Sequence, residues 1–311
     1  MRVLTCRVLA VFVGLAILVL QASAQAPAQV SFATPQDAAT ALLQGLRTND
    51  LDRLQAIFGP GGKDFSSGDP VLDRHDREVV ALAMEQSFRW VDLDANRTEL
   101  VIGNEAWPFP VPLARTETGW RFDTEAGKTE VLARRIGRNE LAVIGLCQTY
   151  VLVQQQYSGQ GHDGKKAGLY AQKVRSTPGL QDGLYWSVKP GEPPSPLGDL
   201  AAAAAAEGYD REKEPSAPFV GYYFRILTAQ GRSASGGAKD YVVDGDMSGG
   251  FALVAYPAKY GFSGVMTFIV NQNGVVYQKD LGKETATLAG DLKVYNPDKT
   301  WTKVRLPKAK Q

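Results

Sequence analysis

The chain has 311 residues, of which 44% are hydrophobic and 22% charged, and its formal net charge is +1. A chain of this length and ordinary aromatic content can bury one large core or two ordinary ones, and we expect two domains. Near-zero net charge without a basic cluster argues against nucleic acid as a partner.

Residues 1–24 have the pattern of a secretory signal peptide. Arg2 and Arg7 precede an unbroken apolar run, Val8 to Leu20, which is too short to span a bilayer comfortably. An A-x-A site at 22–24 then predicts cleavage before Gln25, with an uncleaved anchor as the alternative. We therefore expect a periplasmic or secreted protein with no stable membrane span after cleavage.

Cleavage would remove Cys6 and leave Cys147 as the remaining cysteine. One cysteine excludes an intramolecular disulfide framework and a cysteine-rich zinc site. Because Cys147 falls inside an apolar helical run, we interpret it as a buried, inert thiol rather than a nucleophile.

The first folded unit, predicted at 33–125, has helices first and strands after them, which is an α+β pattern. Thr34 is the predicted N-cap of the first helix, with Pro35 at its first position. The hydrophobic spacing predicts helices at 36–47, 51–58 and 74–89, and strands at 98–102, 109–114 and 120–122.

Three segments of this unit resemble the nuclear-transport-factor-2-like fold, in which helices close a curled sheet around a pocket. They are AATALLQGLRTNDLD (38–52), IFGP (57–60) and GWRFD (119–123). That fold hosts both enzymes and plain ligand binders, so the resemblance implies no reaction. The candidate lining residues of such a pocket are Phe88, Trp90, Trp107 and Trp120, which are alternatively ordinary core residues. The candidate polar anchors are Asp92, Asp94 and Arg121.

A charged segment, 126–138, is interpreted as a linker between two units. Its three arginines, Arg134, Arg135 and Arg138, have two interpretations. They could recognise a phosphate or carboxylate. Alternatively, they form ion pairs on a helix surface with Glu125 and Glu130.

The second unit, predicted at 139–305, begins with a long helix at 139–157 whose apolar residues cover about half its circumference. This helix must therefore lie against a sheet, for which we predict strands at 221–228, 250–256, 265–271 and 275–279. The segments NELAVIGLCQTYVLVQQQY and GYYFRIL resemble the head domains of type IV pilins and pseudopilins. The membrane-embedded half of the pilin helix and its peptidase site are absent, so the resemblance implies the head fold and not polymerisation. Tyr222 and Tyr256 are the candidate partner-binding aromatics of this sheet.

Longer matching segments extend over nearly the whole chain after residue 24. They include WPFPVPL (107–113), GWRFDTEAG (119–127), RRIGRNE (134–140), DGLYW (182–186) and GVMTFIV (264–270). On these segments the chain resembles a family of exported bacterial proteins catalogued as domain of unknown function 2950. The resemblance implies no activity.

Motifs that would support catalysis or metal binding each fail at a named position. Asp244 opens a partial calcium loop, but Ala255 stands where the bidentate glutamate belongs, so a hairpin turn is the better interpretation. His75 and His162 lie in polar stretches of different units and are interpreted as surface histidines. We expect no cofactor and no metal.

The sequence therefore favours an exported, non-enzymatic binding or assembly module of the bacterial cell envelope, whose partner is an envelope protein or a small ligand. The alternative is a small-ligand carrier, or an enzyme, that uses a pocket in the N-terminal cone-like unit.

Overall fold

The computed structural model describes residues 29–189, 191–209 and 217–305, so the predicted signal peptide lies outside the described residues. Both helices and antiparallel sheets are present, which confirms the α+β class. The chain starts with a layer of helices: α1 (Pro35–Arg47), α2 (Leu51–Phe58), a 3-10 helix (Pro60–Phe65) and α3 (Pro70–Gln86).

Side-chain caps fix where these helices begin. Thr34, Asp50 and Asp69 each accept a hydrogen bond from a backbone N–H in the first turn that follows, which satisfies a donor without a helical partner. Thr34 is the N-cap that the sequence predicts, and it forms a full capping box with Asp37.

The helices pack on one face of a five-stranded antiparallel sheet in the order β1-β2-β4-β5, with β3 beside β2. The strands are β1 (Phe88–Asp94), β2 (Arg97–Ile102), β3 (Trp107–Pro108), β4 (Leu113–Thr116) and β5 (Gly119–Phe122). Residues from both layers, such as Leu42, Phe58, Leu100, Leu113 and Phe122, form the first core.

The predicted third helix, 74–89, is wrong at both ends. The helix starts at Pro70, because Asp69 caps it, and stops at Gln86, because Ser87 takes an extended conformation. Phe88 and Arg89 belong instead to the edge strand β1, which pairs with β2 over its length.

One 35-residue helix, α4 (Thr124–Ser158), joins the two units. The expectation of a linker followed by a helix from Asn139 is wrong about where the helix starts, since residues 126–138 are helical. The side chain of Asp123 accepts from the backbone N–H of Ala126 and starts the helix. Gly127 then packs closely on the first unit, where an added Cβ would lie 2.7 Å from the Cα of Val111.

The remaining elements follow α4 in chain order. They are β6 (Lys173–Arg175), β7 (Gly183–Tyr185), α5 (Gly198–Glu207), β8 (Tyr222–Leu227), β9 (Ala229–Gln230), β10 (Lys239–Asp240), β11 (Val242–Val243), β12 (Asp246–Met247), β13 (Ala252–Pro257), β14 (Met266–Asn271), β15 (Tyr277–Asp280), a 3-10 helix (Gly282–Glu284), α6 (Thr285–Asp291), β16 (Val294–Tyr295) and β17 (Thr302–Lys303).

The main sheet of the second unit has the order β17-β15-β14-β13-β8 and is antiparallel throughout. The second half of α4 packs on β13 and β14, so the predicted long helix against a sheet is confirmed. Its buried side chains include Val143, Ile144, Cys147, Tyr150 and Val153. Together with the interior residues of β13 and β14 they form the second core.

The partial calcium motif is a two-residue hairpin turn, as the sequence predicts. Val243 pairs with Asp246 across the turn, and the two residues between them, Asp244 and Gly245, have φ angles of 51° and 84°. Two positive φ angles are what a tight hairpin turn of this kind requires.

The two units also meet at Asp69, the N-cap of α3. Its carboxylate is 1% exposed and accepts a hydrogen bond from the hydroxyl of Tyr209 at 2.8 Å and a weaker one from the backbone N–H of Gly221 at 3.3 Å. Nearby, the Arg74 guanidinium donates to the backbone carbonyl of Glu207 at 3.0 Å. The first unit is thus bonded to the chain that enters the second sheet.

Candidate functional site

The aromatic residues and Arg121, which the sequence suggests as ligand or partner contacts, do not converge on one site. Trp90 and Trp120 pack against the first core from the helix-facing side of the sheet. Arg121 alternates with Trp120 and Phe122 along β5 and therefore faces the other side. Its guanidinium donates to the hydroxyl of Thr118 at 3.2 Å.

The two acidic anchors suggested for a cone pocket, Asp92 and Asp94, are both exposed. The carboxylate of Asp94 accepts from the backbone N–H of Asn96 and from the guanidinium of Arg97. These two hydrogen bonds hold the pKa of Asp94 below its usual value and identify it as a turn residue. Neither acid lines a cavity described below.

The expectation that Tyr222 is an exposed partner-binding aromatic is wrong. Its side chain is 0% exposed and its hydroxyl donates to the carbonyl of Met266 at 3.0 Å. The next residue, Tyr223, is the exposed one, because side chains alternate between the two faces of a strand. Tyr223 pairs in register with Tyr256, and their rings lie 5.6 Å apart.

An open groove of about 650 Å³ lies between α2, α3 and the first half of α4. We call it the N-terminal groove. Its lining is mainly apolar and includes Leu54, Phe58, Val80, Phe109, Val111 and Val131. Trp107 is the one residue of the predicted set that lines it, at 40% exposure.

The rim of the groove leaves large apolar side chains in water. Leu51 is 56% exposed and Val79 is 47% exposed. A concave, mostly apolar surface with a few polar groups is the usual form of a small-molecule site, and such sites occupy roughly 300–1,000 Å³.

Arginines supplied by α3 and α4 line one side of the groove, and three of them have partners. Arg134 donates to Glu130 at 2.6 Å, as the ion-pair interpretation expected, and lies 5.0 Å from the centre of the Trp107 ring. Arg138 pairs with Asp76 at 2.6 Å rather than with Glu125 or Glu130. Arg77 donates to the side-chain oxygen of Asn49 at 2.7 Å.

Arg135 differs from these three. It is 7% exposed, and within the described part of the chain its Nε and Nη1 atoms are buried without a hydrogen-bond partner. Burial lowers the pKa of Arg135, while the carboxylates of Asp73 and Asp76 act to raise it. An arginine stays charged even so, so a desolvated cation lies against the groove.

The acidic residues beside Arg135 are held in place by other groups. Asp73 accepts hydrogen bonds from the hydroxyl of Ser66 at 2.7 Å and from the backbone N–H of Ser67 at 2.9 Å. One oxygen of Asp76 binds Arg138, and the other is buried without a partner among the described residues. Neither carboxylate hydrogen-bonds Arg135.

The side chains of His162 and Cys147 are each held in the structure in a way that disfavours a catalytic role. The imidazole of His162 stacks on Tyr157 at 4.1 Å, and its two nitrogens contact the side chain of Gln181 and the carbonyl of Tyr157. His75 is exposed on α3. Burial raises the pKa of the Cys147 thiol to about 12, and a buried thiol of high pKa is unreactive.

No group of three or more residues in the described ranges could hold a metal ion. The second concavity, of about 70 Å³ beside His162, has room for little more than ordered water. The N-terminal groove is therefore the stronger candidate site.

The sequence indicates the basic side of the groove but not its apolar walls. The arginines at 134–138 were recognised as potential anion ligands. The apolar walls were not, because Leu54, Phe58 and Val80 have the spacing of ordinary core residues. Which of these residues faces a groove depends on how α4 lies across α2 and α3.

Comparison with known proteins identifies a family. A family described as "Protein of unknown function (DUF2950)" matches residues 29–304, which is nearly the whole chain, so the chain belongs to that family. No curated protein and no solved structure matches it. The likeness to nuclear-transport-factor-2-like domains and to pilin heads therefore stays a prediction. Across the described ranges no helix is both long enough and apolar enough to cross a membrane.

Proposed function

We propose that this family member is an exported, non-enzymatic binding module of the bacterial cell envelope, and that the N-terminal groove holds a small amphipathic ligand. The observation that carries the proposal is the groove itself, an apolar concavity of about 650 Å³ with arginines along one side. Export rests on the signal-peptide pattern of residues 1–24. Assembly with an envelope protein stays a prediction made from the sequence.

The energetics of exposed apolar surface support a ligand in the groove. Leu51, Val79 and Trp107 line the groove and expose apolar side chains to water. Each square ångström of such surface removed from water contributes about 25 cal/mol. A ligand with an apolar body therefore gains free energy along the floor and rim of the groove.

The polar side chains discussed above support ligand binding without catalysis. Nucleophilic catalysis needs a base beside a serine or cysteine. Here both histidine-ring nitrogens of His162 are already engaged, and the Cys147 thiol is buried in the second core. The arginines of the groove can bind and orient an anion, but none of them is a ready proton acceptor.

The first test is direct. The exported protein is purified from the envelope of the cells that produce it, and small molecules bound to it are extracted. Mass spectrometry of the extract then looks for a copurified molecule in near-stoichiometric amount. A second measurement titrates the protein with Nile red, a neutral apolar dye whose fluorescence rises in apolar sites.

Two variants of α3 locate the binding. Val79→Asp places a charge on the groove rim and should weaken Nile red binding by roughly tenfold, because a carboxylate beside an apolar ligand loses hydration. Leu82→Asp is the matched control, since Leu82 is 60% exposed on the same helix and does not line the groove. Equal effects of the two variants, or no dye binding by the parent protein, would contradict the proposal.

A further inference from the structure

We infer that the ligand of the N-terminal groove is a carboxylate attached to an apolar body, and that Arg135 binds its carboxylate. This inference rests on the proposed function and adds the chemical class of the ligand. The observation behind it is that two nitrogens of Arg135 are buried without a hydrogen-bond partner among the described residues.

A buried guanidinium without partners is costly. Two of its three nitrogens, Nε and Nη1, are out of contact with water and have no acceptor among the described residues. Leaving a buried charged donor unpaired costs more free energy than leaving a neutral one. A bound anion would offset that cost, whereas a neutral ligand would not.

The charges around the groove also favour an anion. Five cationic residues line it, against two acidic ones; the cations are Lys63, Arg77, Arg134, Arg135 and Arg138, and the acids are Asp73 and Asp76. Arg138 neutralises Asp76 directly. Asp73 accepts hydrogen bonds from Ser66 and Ser67, so neither acid takes up the Nε or Nη1 donors of Arg135.

The shape of the guanidinium selects a carboxylate. A carboxylate can bind the planar fork of an arginine with two parallel hydrogen bonds. Each of the two forks includes one of the unpartnered atoms, since the side fork uses Nε with Nη2 and the end fork uses Nη1 with Nη2. A single unpaired arginine matches a single negative charge, whereas a phosphate dianion generally meets several cations.

The position of Arg135 on α4 indicates where in the groove the apolar part of the ligand lies. Arg135 comes four residues after Val131 on α4, and both line the groove, so they share one helix face. Val131, Val111 and Phe109 continue the lining as apolar surface. A ligand with its carboxylate at Arg135 would therefore lay its hydrocarbon against these residues, as a fatty acid would.

Three matched ligands test the inference by isothermal titration at neutral pH: dodecanoate, dodecanol and dodecyl phosphate. We expect dodecanoate to bind about tenfold or more tightly than dodecanol, a difference typical of one charge-assisted interaction. Equal affinities for these two would overturn the inference, and so would tighter binding of dodecyl phosphate than of dodecanoate.

Arg135→Met keeps an unbranched apolar stem and removes the charged guanidinium. It should abolish the preference for dodecanoate and leave dodecanol affinity unchanged. Arg47→Met is the control variant and should retain the preference, because Arg47 is exposed, pairs with Glu85 and does not line the groove. A preference that survives in Arg135→Met would also overturn the inference.

Two readouts keep the test decisive. Thermal unfolding without ligand shows whether Arg135→Met folds; removal of an unpaired buried charge should leave the melting temperature equal or raise it. If the variant does not fold, the preference of the parent protein should vanish as the pH falls below the pKa of the fatty acid, and a preference independent of pH would overturn the inference.

Nile red binding without any preference for dodecanoate contradicts this inference alone, whereas no binding of any of these molecules contradicts the proposed function as well.

Discussion

At the scale of single residues, the second core depends on a close approach between Gly264 and Tyr222. A Cβ added at Gly264 would lie 2.0 Å from the Tyr222 hydroxyl oxygen. Tyr222 has nowhere to move, since its ring is fully buried and its hydroxyl is bonded to the carbonyl of Met266. The glycine is therefore required by packing rather than by a turn.

Gly264→Ala should destabilise the protein by about 1–3 kcal/mol, the usual cost of overpacking a core. Gly290→Ala is the matched control, since nothing lies within 4 Å of an added Cβ there. Urea unfolding of both variants measures the difference. A Gly264→Ala protein as stable as the control would contradict the packing of Tyr222.

Buried polar residues show what a sequence alone could not indicate. Gln154 is 0% exposed, yet its amide donates to the carbonyl of Ala171 at 2.8 Å and accepts from the N–H of the same residue at 2.9 Å. Glu140, which is half-buried, accepts from the backbone N–H groups of Val265 and Met266. Partners so distant in sequence leave no periodic pattern, so neither role could be predicted.

At the scale of elements, α4 shows where patterning succeeds and where it fails. The apolar stripe of 139–157 correctly predicted a helix against a sheet. The first half of α4 was interpreted as a linker because its charged residues and Gly137 lack a strong apolar period. They are helical because Asp123 caps the helix and because Gly127, Val131 and Arg135 pack on the first unit.

Two aspartate substitutions on α4 test the packing of its second half. Ile144 is 6% exposed against the sheet, so Ile144→Asp should cost several kcal/mol by placing a carboxylate in the second core. Leu141 lies three residues before Ile144 on α4 but is 57% exposed, so Leu141→Asp should change stability by less than about 0.5 kcal/mol. Thermal melts compare the two, and an Ile144→Asp protein that melts within a degree or two of the parent would refute the packing.

Some strands could be predicted from the sequence and others could not, because the patterns of neighbouring elements can run together. The strands β8, β13 and β14 were expected because long runs of Tyr, Val, Ile and Phe are typical of strands. The strand β1 was missed, since its residues continue the apolar pattern of α3 and only the extended backbone of Ser87 separates them. Tyr222 was misplaced because its exposure depends on which face of β8 meets α4.

At the scale of the whole molecule, the two units are joined by more than α4. Asp69, buried in the first unit, accepts hydrogen bonds from Tyr209 and from the backbone of Gly221. Burial and the nearby Asp69 carboxylate raise the pKa of Tyr209, so its hydroxyl stays protonated and remains a donor. We therefore expect the described units to unfold together.

Tyr209→Phe tests this contact. It should lower the free energy of unfolding by about 1–3 kcal/mol, because a buried carboxylate loses a charge-assisted hydrogen bond. Tyr260→Phe is the control, since the Tyr260 hydroxyl donates to Asp280 at 3.2 Å in an exposed position. Chemical unfolding followed by tryptophan fluorescence should show one transition in the parent protein, and equal losses in the two variants would contradict a special role for Asp69.

The shared helix α4 also governs how the chain can be made. Its apolar stripe, from Val143 to Tyr157, is synthesised roughly a hundred residues before β13 and β14, the strands that cover it. At about 5–20 residues per second, this stripe spends on the order of ten seconds without its partner. An apolar stripe exposed in this way is prone to aggregate. We therefore expect chaperones to hold the nascent chain until β13 and β14 emerge, a consequence of building two cores on one helix.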